Sequence, residues 1–535
     1  MHRILISFVF TLFVFSCNSQ QKKTPINYEA RPRLIIGIVV DQMRYDYIDH
    51  YWDKFSSGGF KRLVNEGTLF KNCHYNYVPT ETAPGHASIY TGATPSVHGI
   101  IGNVWWNYGA KKSLSSVQDE NNPSQLSPNK LLVETLTDRF KKSFAGSRVY
   151  SISIKDRGAI LPGGKNADAA FWFNDTTGKW ISSRYYNEAK TNAKWVADFN
   201  NADYPKQFLK KGWNLIPGHH YDYPDSSSSY EGTLGNNNQY FFPYRFDSTN
   251  YGSIKYTSWG NKLTALFAEQ ALMNEKLGQT KVPDFLCISF SSTDYVGHKF
   301  GINSVEIEQT YLDLDGDIAN LLNLFDKQIG KNNYLVFLSA DHGAVSNPQY
   351  LLDNGQTGGV ILFDTLNLKL KNLAGDVPRQ ESLILDFSGD QVKFNEPLIK
   401  ARNLDMDSLL NVFTDFLATQ PGIALALTSN ELKTNKYKYG IRQMIQNGFH
   451  ASRNAEIVFV LKPNWLTWYN KKGTSHGTPY EYDTHVPLIF YGWKIKNEKS
   501  DTDVKITDIA PTVSKLLGIE LSNSTGTPIK ELFGN

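Results

Sequence analysis

The sequence has few cysteines, no long apolar run and almost no net charge, and each absence removes a class of protein. Three cysteines in 535 residues cannot build a dense disulfide framework, and outside the N-terminal segment only Cys73 and Cys287 remain for one bridge. The apolar run at residues 4–15 is too short to span a bilayer. The formal charge of +3 does not indicate nucleic acid as a specific partner. The 41% hydrophobic fraction is typical of a large globular chain.

The first 30 residues predict export. A basic start, the apolar run 4–15 and the small residues after it have the order of a secretory signal. Residues 14–17, Val-Phe-Ser-Cys, resemble the cleavage box of a bacterial lipoprotein, in which Cys17 would carry the lipid. We therefore interpret 1–17 as a signal peptide and 18–30 as a polar tether. A periplasmic or outer-membrane-associated protein is expected, either anchored through Cys17 or cleaved to a soluble form.

Buried strands alternate with helices through the rest of the chain. Residues 34–40 form a continuous apolar run, as expected of a strand that is buried on both faces of a parallel sheet, and residues 284–290 and 334–339 are also predicted to be strands. Amphipathic patterns at 261–277 and 305–325 predict helices. The alternation predicts an α/β protein, a three-layer α/β/α sandwich with a mostly parallel central sheet.

Two stretches depart from this alternation. Residues 163–260 are rich in Asn, Tyr, Trp, Ser and Gly, and residues 356–468 mix strands with short helices. We interpret both as loop-rich insertions in a single catalytic domain at 31–535. Packing explains most of the aromatic side chains in the first insertion. A binding platform remains the alternative, so a surface glycan-binding lipoprotein is a distant second reading of the whole chain.

Acidic and imidazole side chains follow three predicted strands. Asp41 follows the first strand, Asp294 the second, and Asp341 with His342 the third. Ligand sites in open α/β sheets lie beyond the carboxyl ends of the strands, so these residues should meet in one crevice. Converging carboxylates repel one another unless a cation lies among them.

Two further histidines complete this set. His298 follows Asp294 by four residues, which places both on one face of a helix, and His476 lies in a loop before the last predicted strand. Each residue alone could be a helix cap or a core side chain. Their joint placement favours two divalent cations, and the Asp and His ligands suit zinc, although manganese or cobalt would also fit.

Thr82 is the candidate nucleophile. It precedes Ala83-Pro84 at the start of a helix predicted over residues 83–91. A hydroxyl at a helix N-terminus lies where backbone N–H groups and the helix dipole favour negative charge. This suits an alkoxide that attacks a phosphate, although an isolated Thr at such a position is usually a simple cap.

Five motifs together resemble the alkaline phosphatase superfamily, over residues 33–520. They are Val39-Val40-Asp41, Thr82-Ala83-Pro84-Gly85-His86, Ser292-Thr293-Asp294-Tyr295-Val296-Gly297-His298, Ser339-Ala340-Asp341-His342-Gly343 and Ser475-His476-Gly477. The resemblance implies two Zn²⁺ per chain. One would be held by Asp294, His298 and His476, and the other by Asp41, Asp341, His342 and Thr82.

The substrate-binding residues resemble those of the phosphate-irrepressible (PafA-type) alkaline phosphatases. Lys155 and Arg157 are two residues apart at a predicted strand end, so both can point to the same side. Arg157 can bind two phosphate oxygens, and Asn103 can donate to another. The resemblance implies hydrolysis of small-molecule phosphate monoesters through a covalent phosphothreonine, by an exported enzyme that we expect to be a monomer.

A phosphodiesterase of the nucleotide pyrophosphatase type is the nearest alternative. It would share the zinc ligands, Thr82 and Asn103, whereas Lys155 and Arg157 favour the monoesterase. The Cys-x-Pro-x-Arg motif of sulfatases is replaced here by Thr-Ala-Pro-Gly-His, which argues against that class.

Overall fold

The computed structural model describes residues 31–122, 124–226, 228–375, 381–469 and 471–533. The predicted signal peptide, Cys17 and the polar tether lie outside the described residues, so their assignment stays a prediction. Within the described ranges, no helix is both long and apolar enough to cross a membrane. Cys73 and Cys287 are both buried and free, so the single disulfide that the sequence allowed does not form.

Strands occur along the whole described chain. They are β1 Leu34–Val40, β2 Thr68–His74, β3 Val104–Asn107, β4 Lys112–Ser115, β5 Val149–Ser153, β6 Ala169–Asn174, β7 Lys179–Ile181, β8 Asp284–Phe290, β9 Tyr334–Ser339, β10 Gly359–Leu362, β11 Ile384–Ser388, β12 Gln391–Phe394, β13 Ile423–Thr428, β14 Ile457–Leu461, β15 Trp465–Trp468, β16 Leu488–Gly492 and β17 Glu498–Lys505.

Helices separate most of these strands. They are α1 Tyr47–His50, α2 Phe60–Glu66, α3 Thr82–Thr91, α4 Pro95–His98, α5 Leu136–Ser143, α6 Asp156–Gly163, α7 Glu188–Thr191, α8 Lys194–Asn201, α9 Tyr204–Lys211, α10 Trp259–Asn274, α11 Ser292–Phe300, α12 Val305–Ile329, α13 Pro348–Asp353, α14 Phe363–Leu373, α15 Glu396–Ala401, α16 Met406–Ala418, α17 Ser429–Thr434, α18 Gly440–Gly448, α19 Glu481–Thr484 and α20 Ile509–Leu517. Short 3₁₀ helices lie at Trp52–Lys54, Tyr251–Tyr256, Ile506–Asp508 and Lys530–Phe533.

The central sheet has nine strands in the order β17-β2-β16-β9-β1-β8-β5-β6-β7. Its middle is parallel, since β1 pairs in parallel with both β8 and β9, and β5 pairs in parallel with β8 and β6. Strand β16 runs antiparallel to both of its neighbours, and β7 runs antiparallel to β6. Every residue of β1, β8 and β9 is buried, which is why β1 is continuously apolar and β8 and β9 are mostly so.

Helices cover this sheet in two groups. Helices α3, α5, α6 and α20 pack with one another, and α2, α10, α11 and α12 form the second group. Strand β8 contacts α6 from the first group and α10 from the second. The predicted three-layer α/β/α architecture with a mostly parallel sheet is confirmed.

The two predicted insertions differ in character. The range 163–260 contains β6 and β7, which belong to the central sheet, so the excursion from the core begins only after Ile181. Residues 359–468, which we call the inserted subdomain, hold the four-stranded sheet β11-β12-β14-β13 and the pair β10-β15. This subdomain has its own hydrophobic core, including Phe394, Phe413 and Ile457.

Candidate active site

The carboxyl ends of three neighbouring strands bring three aspartates together. Asp41 directly follows β1, and Asp341 follows β9 by two residues. Asp294 lies in the first turn of α11, the helix that leaves β8. All three are at most 1% exposed. Because β8, β1 and β9 are adjacent in the sheet, residues that are far apart in sequence meet in one buried site.

The six candidate ligands form two groups of three. The first contains Asp294, His298 and His476, and the second contains Asp41, Asp341 and His342. Within each group, one ligand atom from each residue lies within 4.8 Å of the others. These are the two sets that the sequence resemblance implied, and their role as ligands stays a prediction.

Backbone carbonyls orient the three imidazoles. The Nδ1 atoms of His298, His342 and His476 lie 2.8, 2.9 and 2.7 Å from the carbonyl oxygens of Thr474, Gly343 and Thr80, respectively. A carbonyl oxygen can only accept, so each Nδ1 carries the proton and each Nε2 keeps its lone pair. The Nε2 atoms face carboxylates. Those of His298 and His476 lie 3.1 and 3.6 Å from Asp294 Oδ1, and that of His342 lies 3.5 Å from Asp41 Oδ1. Lone pairs and carboxylate oxygens that face each other in this way suit a cation.

Unpaired buried atoms fit the same conclusion. Asp41 Oδ1 and His342 Nε2 are buried without a hydrogen-bond partner. Burial, with the charge of Asp341, raises the pKa of Asp41 well above its ordinary value. Burial also lowers the pKa of His342 and of His476, which keeps both imidazoles neutral, as metal ligands must be. The residues therefore fit two divalent cations.

Lys155 connects the two groups. Its ammonium nitrogen lies 2.7 Å from Asp41 Oδ2, 2.5 Å from Asp294 Oδ2 and 3.1 Å from Thr82 Oγ1. Burial opposes its charge, but Asp294 and Asp41 outweigh this effect and raise its pKa. Each carboxylate thus presents Oδ2 to Lys155 and Oδ1 to imidazole nitrogens, so a cation and the ammonium can share the same aspartate.

Lys155 and Arg157 are placed differently from the prediction. Strand β5 ends at Ser153, Lys155 is the residue before α6, and Arg157 is the second residue of that helix. The alternation argument for a common strand face is therefore wrong. Lys155 is 3% exposed and reaches the aspartates, whereas the side chain of Arg157 is 24% exposed. The Nε atom of Arg157 is buried and has no hydrogen-bond partner, so this guanidinium retains a donor for a ligand.

The start of α3 fixes Thr82 and Asn103 side by side. The helix includes Thr82 as its first residue, one residue earlier than predicted. The Asn103 side-chain oxygen accepts from the N–H of Ala83 at 2.9 Å, and the backbone N–H of Asn103 donates to Glu81 Oε2 at 2.7 Å. With its oxygen engaged, Asn103 offers its side-chain NH₂ as a donor beside the Thr82 hydroxyl.

Two residues support the ligands in a way that the sequence did not predict. Gln42 donates through Nε2 to Asp294 Oδ1 at 2.7 Å and through its backbone N–H to Asp341 Oδ1 at 3.1 Å. His86 Nδ1 lies 2.8 Å from the Thr82 carbonyl and 3.2 Å from Asp341 Oδ2. Gln42 has a φ of 65°, a left-handed conformation that turns the chain sharply after β1. Its position next to Asp41 was the only signal in the sequence.

A family model described as type I phosphodiesterase / nucleotide pyrophosphatase matches residues 35–486, most of the chain and all of the site described above. The chain belongs to this family. The match ends after His476, so it includes both ligand groups.

Relatives within the family are named alkaline phosphatases. Alkaline phosphatase PafA of Elizabethkingia meningoseptica is 40% identical over 95% of this chain and 96% of the relative. Alkaline phosphatase PhoV of Synechococcus elongatus is 39% identical over 98% of each chain. The crystal structure of wild-type PafA superposes with a TM-score of 0.88 and 39% identity, covering 94% of this chain and 99% of that one. Membership of the alkaline phosphatase superfamily, in a PafA-like group, is confirmed.

Proposed function

We propose that the protein is a phosphomonoesterase that transfers the phosphoryl group of a monoester to Thr82 and then to water. The observation that carries this proposal is the position of Lys155 Nζ, which lies 3.1 Å from the Thr82 hydroxyl and contacts an aspartate of each ligand group. The relatives named alkaline phosphatases, which match nearly the whole chain, support the same class of activity.

Two zinc ions are the proposed cofactors. Asp294, His298 and His476 would hold one, and Asp41, Asp341, His342 and Thr82 the other. Bound there, they would supply Lewis-acid stabilisation of the attacking and leaving oxygens. With three carboxylates the site keeps a charge of about +1 before Lys155 and Arg157 are counted, which suits a dianionic monoester.

The chain's own residues bind and orient the phosphate. The unengaged Nε–H of Arg157 and the side-chain NH₂ of Asn103 would donate to the oxygens that do not react. The ammonium of Lys155 favours the deprotonated form of Thr82 and neutralises charge in the transition state. Thr82 lies at the start of α3, so the helix dipole acts in the same direction.

The reaction has two displacements. Thr82 Oγ1 gives up its proton and forms a bond to phosphorus as the bond to the alcohol oxygen breaks, and the alcohol takes up a proton as it leaves. Water then attacks the phosphothreonine and gives up a proton, the bond from phosphorus to Thr82 breaks, Thr82 Oγ1 regains a proton, and inorganic phosphate departs. Because the transition state is loose, positioning and charge complementarity account for most of the catalysis.

Thr82→Ala tests this mechanism. We expect 4-nitrophenyl phosphate turnover by the wild type and a loss of at least about 100-fold in the variant, in which the remaining Asp and His ligands would still hold both metal ions. Burst kinetics and phosphate-labelled peptide mapping would locate the intermediate at Thr82. Full turnover by Thr82→Ala would mean that water attacks directly or that another group is the nucleophile.

A phosphodiesterase is the second candidate, because the family model covers that activity. Lys155 favours the monoesterase, since its charge would be superfluous for a diester with a single negative charge. The ratio of 4-nitrophenyl phosphate to bis(4-nitrophenyl) phosphate turnover separates the two candidates. A ratio below one in the wild type would favour the diesterase.

Export to the periplasm or the outer membrane is part of the proposal and rests on the sequence of residues 1–17. Mass spectrometry of the processed N-terminus tests it. A lipidated Cys17 supports membrane anchoring, whereas cleavage without a lipid supports a soluble periplasmic form.

A further inference from the structure

A cavity of about 300 Å³ opens beside the ligand groups, on the side of the inserted subdomain. Asn103, His298 and His476 line its inner end. Its outer wall comes from the inserted subdomain, at residues 387–390 and 466–469. An ester whose phosphorus lies at Thr82 would place its alcohol here, so we call it the leaving-group cavity.

Aromatic rings form one wall of the leaving-group cavity. The rings of Phe363 and Phe387 stack with centroids 4.7 Å apart, and Tyr469 lies 5.2 Å from Phe363. The ring of Trp468 stacks on His298 at 5.3 Å, which joins the aromatic wall to the first ligand group. Aromatic faces carry partial negative charge and attract cations, including the quaternary ammonium groups of ligands.

Two carboxylates face the same cavity. Asp390 lies in a two-residue turn between β11 and β12, in which Ser388 pairs with Gln391 and both Gly389 and Asp390 have a φ of 55°. This is the backbone of a type I′ hairpin turn, with Asp390 as its second central residue. A Cβ at Gly389 would lie 3.7 Å from Glu81 Oε1, so the turn reaches the residue next to the nucleophile.

The negative charge in the cavity is not balanced by its lining. Among the described lining residues none is Lys or Arg, and Glu81 accepts a hydrogen bond from the backbone N–H of Asn103 rather than from a charged side chain. Burial, with the charge of Glu81, raises the pKa of Asp390 to about 7, which leaves it ionised under alkaline conditions. Arg157 acts on Glu81 electrostatically, but the proposed mechanism assigns Arg157 to the phosphate.

We propose that the leaving-group cavity selects phosphate monoesters whose alcohol carries a primary or quaternary ammonium group. This inference rests on the proposed phosphomonoesterase function and specifies the substrate class of that same site. The cation would lie between the aromatic wall and Asp390, while the phosphate occupies the site of Arg157 and Asn103. A neutral aromatic alcohol would leave the carboxylates unpaired, and an alcohol with a second phosphate would be repelled by them.

Choline phosphate and its neutral isostere 3,3-dimethylbutyl phosphate test this selection. We would measure kcat/KM for both esters in the wild type, Asp390→Asn and Tyr469→Ala, with Asp415→Asn as the control. Tyr469 is 69% exposed, and Asp415 is exposed on α16 of the same subdomain. Because the difference in intrinsic reactivity between the two esters is the same for every protein, it cancels when their kcat/KM ratio is compared between the wild type and each variant. We expect this ratio to fall about five-fold in each cavity variant and to stay constant in Asp415→Asn.

Turnover of 4-nitrophenyl phosphate separates the two proposals. No turnover by the wild type would overturn the phosphomonoesterase function itself. Normal turnover, with the same choline-to-isostere ratio in the wild type and both cavity variants, would overturn the selection alone. If Asp390→Asn fails to fold, the ratio in Tyr469→Ala decides the question.

Discussion

The ammonium nitrogen of Lys155 lies 3.1 Å from the hydroxyl oxygen of Thr82, and the same ammonium pairs with Asp41 and Asp294. One buried cation therefore contacts the proposed nucleophile and both ligand groups. A flexible surface lysine could not do this. Here the residue is fixed because it immediately precedes α6 and is almost wholly buried.

Replacing Lys155 with Met should lower monoesterase activity more than diesterase activity. Met keeps the length of the side chain and removes a charge that a dianionic monoester needs more than a monoanionic diester does. We expect kcat/KM for 4-nitrophenyl phosphate to fall about 100-fold and that for bis(4-nitrophenyl) phosphate about ten-fold or less. Circular dichroism of the variant and the wild type checks that the protein still folds when Asp41 and Asp294 lose this partner. Equal losses for the two esters would contradict this role of Lys155.

Removing the metal should lower both activity and thermal stability. Cations that bind only the folded state stabilise it by mass action, and four of the six Asp and His ligands are buried. After dialysis against a chelator we expect the unfolding temperature to fall by about 5 °C or more, and zinc to restore it. Elemental analysis should give two zinc ions per chain. His476→Ala is the matched variant, for which we expect loss of one ion and a smaller effect of the chelator.

Gln42→Ala should weaken metal binding without removing a ligand. Gln42 donates to Asp294 and Asp341, one aspartate from each ligand group, so it holds both carboxylates in place. Loss of such an outer hydrogen bond typically costs 10- to 100-fold in metal affinity. We expect zinc affinity to fall by about ten-fold, and added zinc to restore turnover to near the wild-type level. A loss of turnover that excess zinc does not reverse would assign Gln42 a different role.

The sequence predicted the strands that carry the site residues better than it predicted how other strands pair with them in the sheet. Strands β1, β8 and β9 are buried on both faces, so their apolar residues follow one another and can be recognised in the sequence without knowledge of the tertiary structure. Asp41, Asp294 and Asp341 could then be placed together by the rule for strand ends. Strand β16 runs antiparallel in the sheet, which its apolar composition alone does not reveal.

Contacts between distant segments were beyond the reach of the sequence. Lys155 and Arg157 were expected on one strand face, but the strand ends earlier and a helix begins between them. The hydrogen bond from Gln42 to Asp294 and the contact between His86 and Asp341 depend on tertiary packing, which no local pattern encodes. Asp390 approaches Glu81 only because the inserted subdomain folds back over the site.

Glu306 should make the folded state less stable as the pH rises. It is 1% exposed in α12, its Oε1 accepts from Tyr244 at 2.6 Å, and its Oε2 has no partner. Burial, with the nearby Glu231, raises the pKa of Glu306 to about 8. The folded protein therefore keeps this proton to a higher pH than the unfolded chain, so the contribution of the group is full below its ordinary pKa and is lost as the pH rises through about 8.

Glu306→Gln tests this sign, because Gln keeps the shape and cannot ionise. At pH 9 we expect the variant to unfold several degrees above the wild type, and at pH 5 the two should nearly coincide. Glu308→Gln is the matched control two residues along the same helix. Glu308 is equally buried but pairs with Lys54 at 2.5 Å, so its neutralisation should destabilise the protein at both pH values. Differential scanning calorimetry on the metal-loaded proteins measures both variants. A Glu306→Gln protein that is less stable than the wild type at pH 9 would show that the carboxylate is satisfied by partners other than Tyr244.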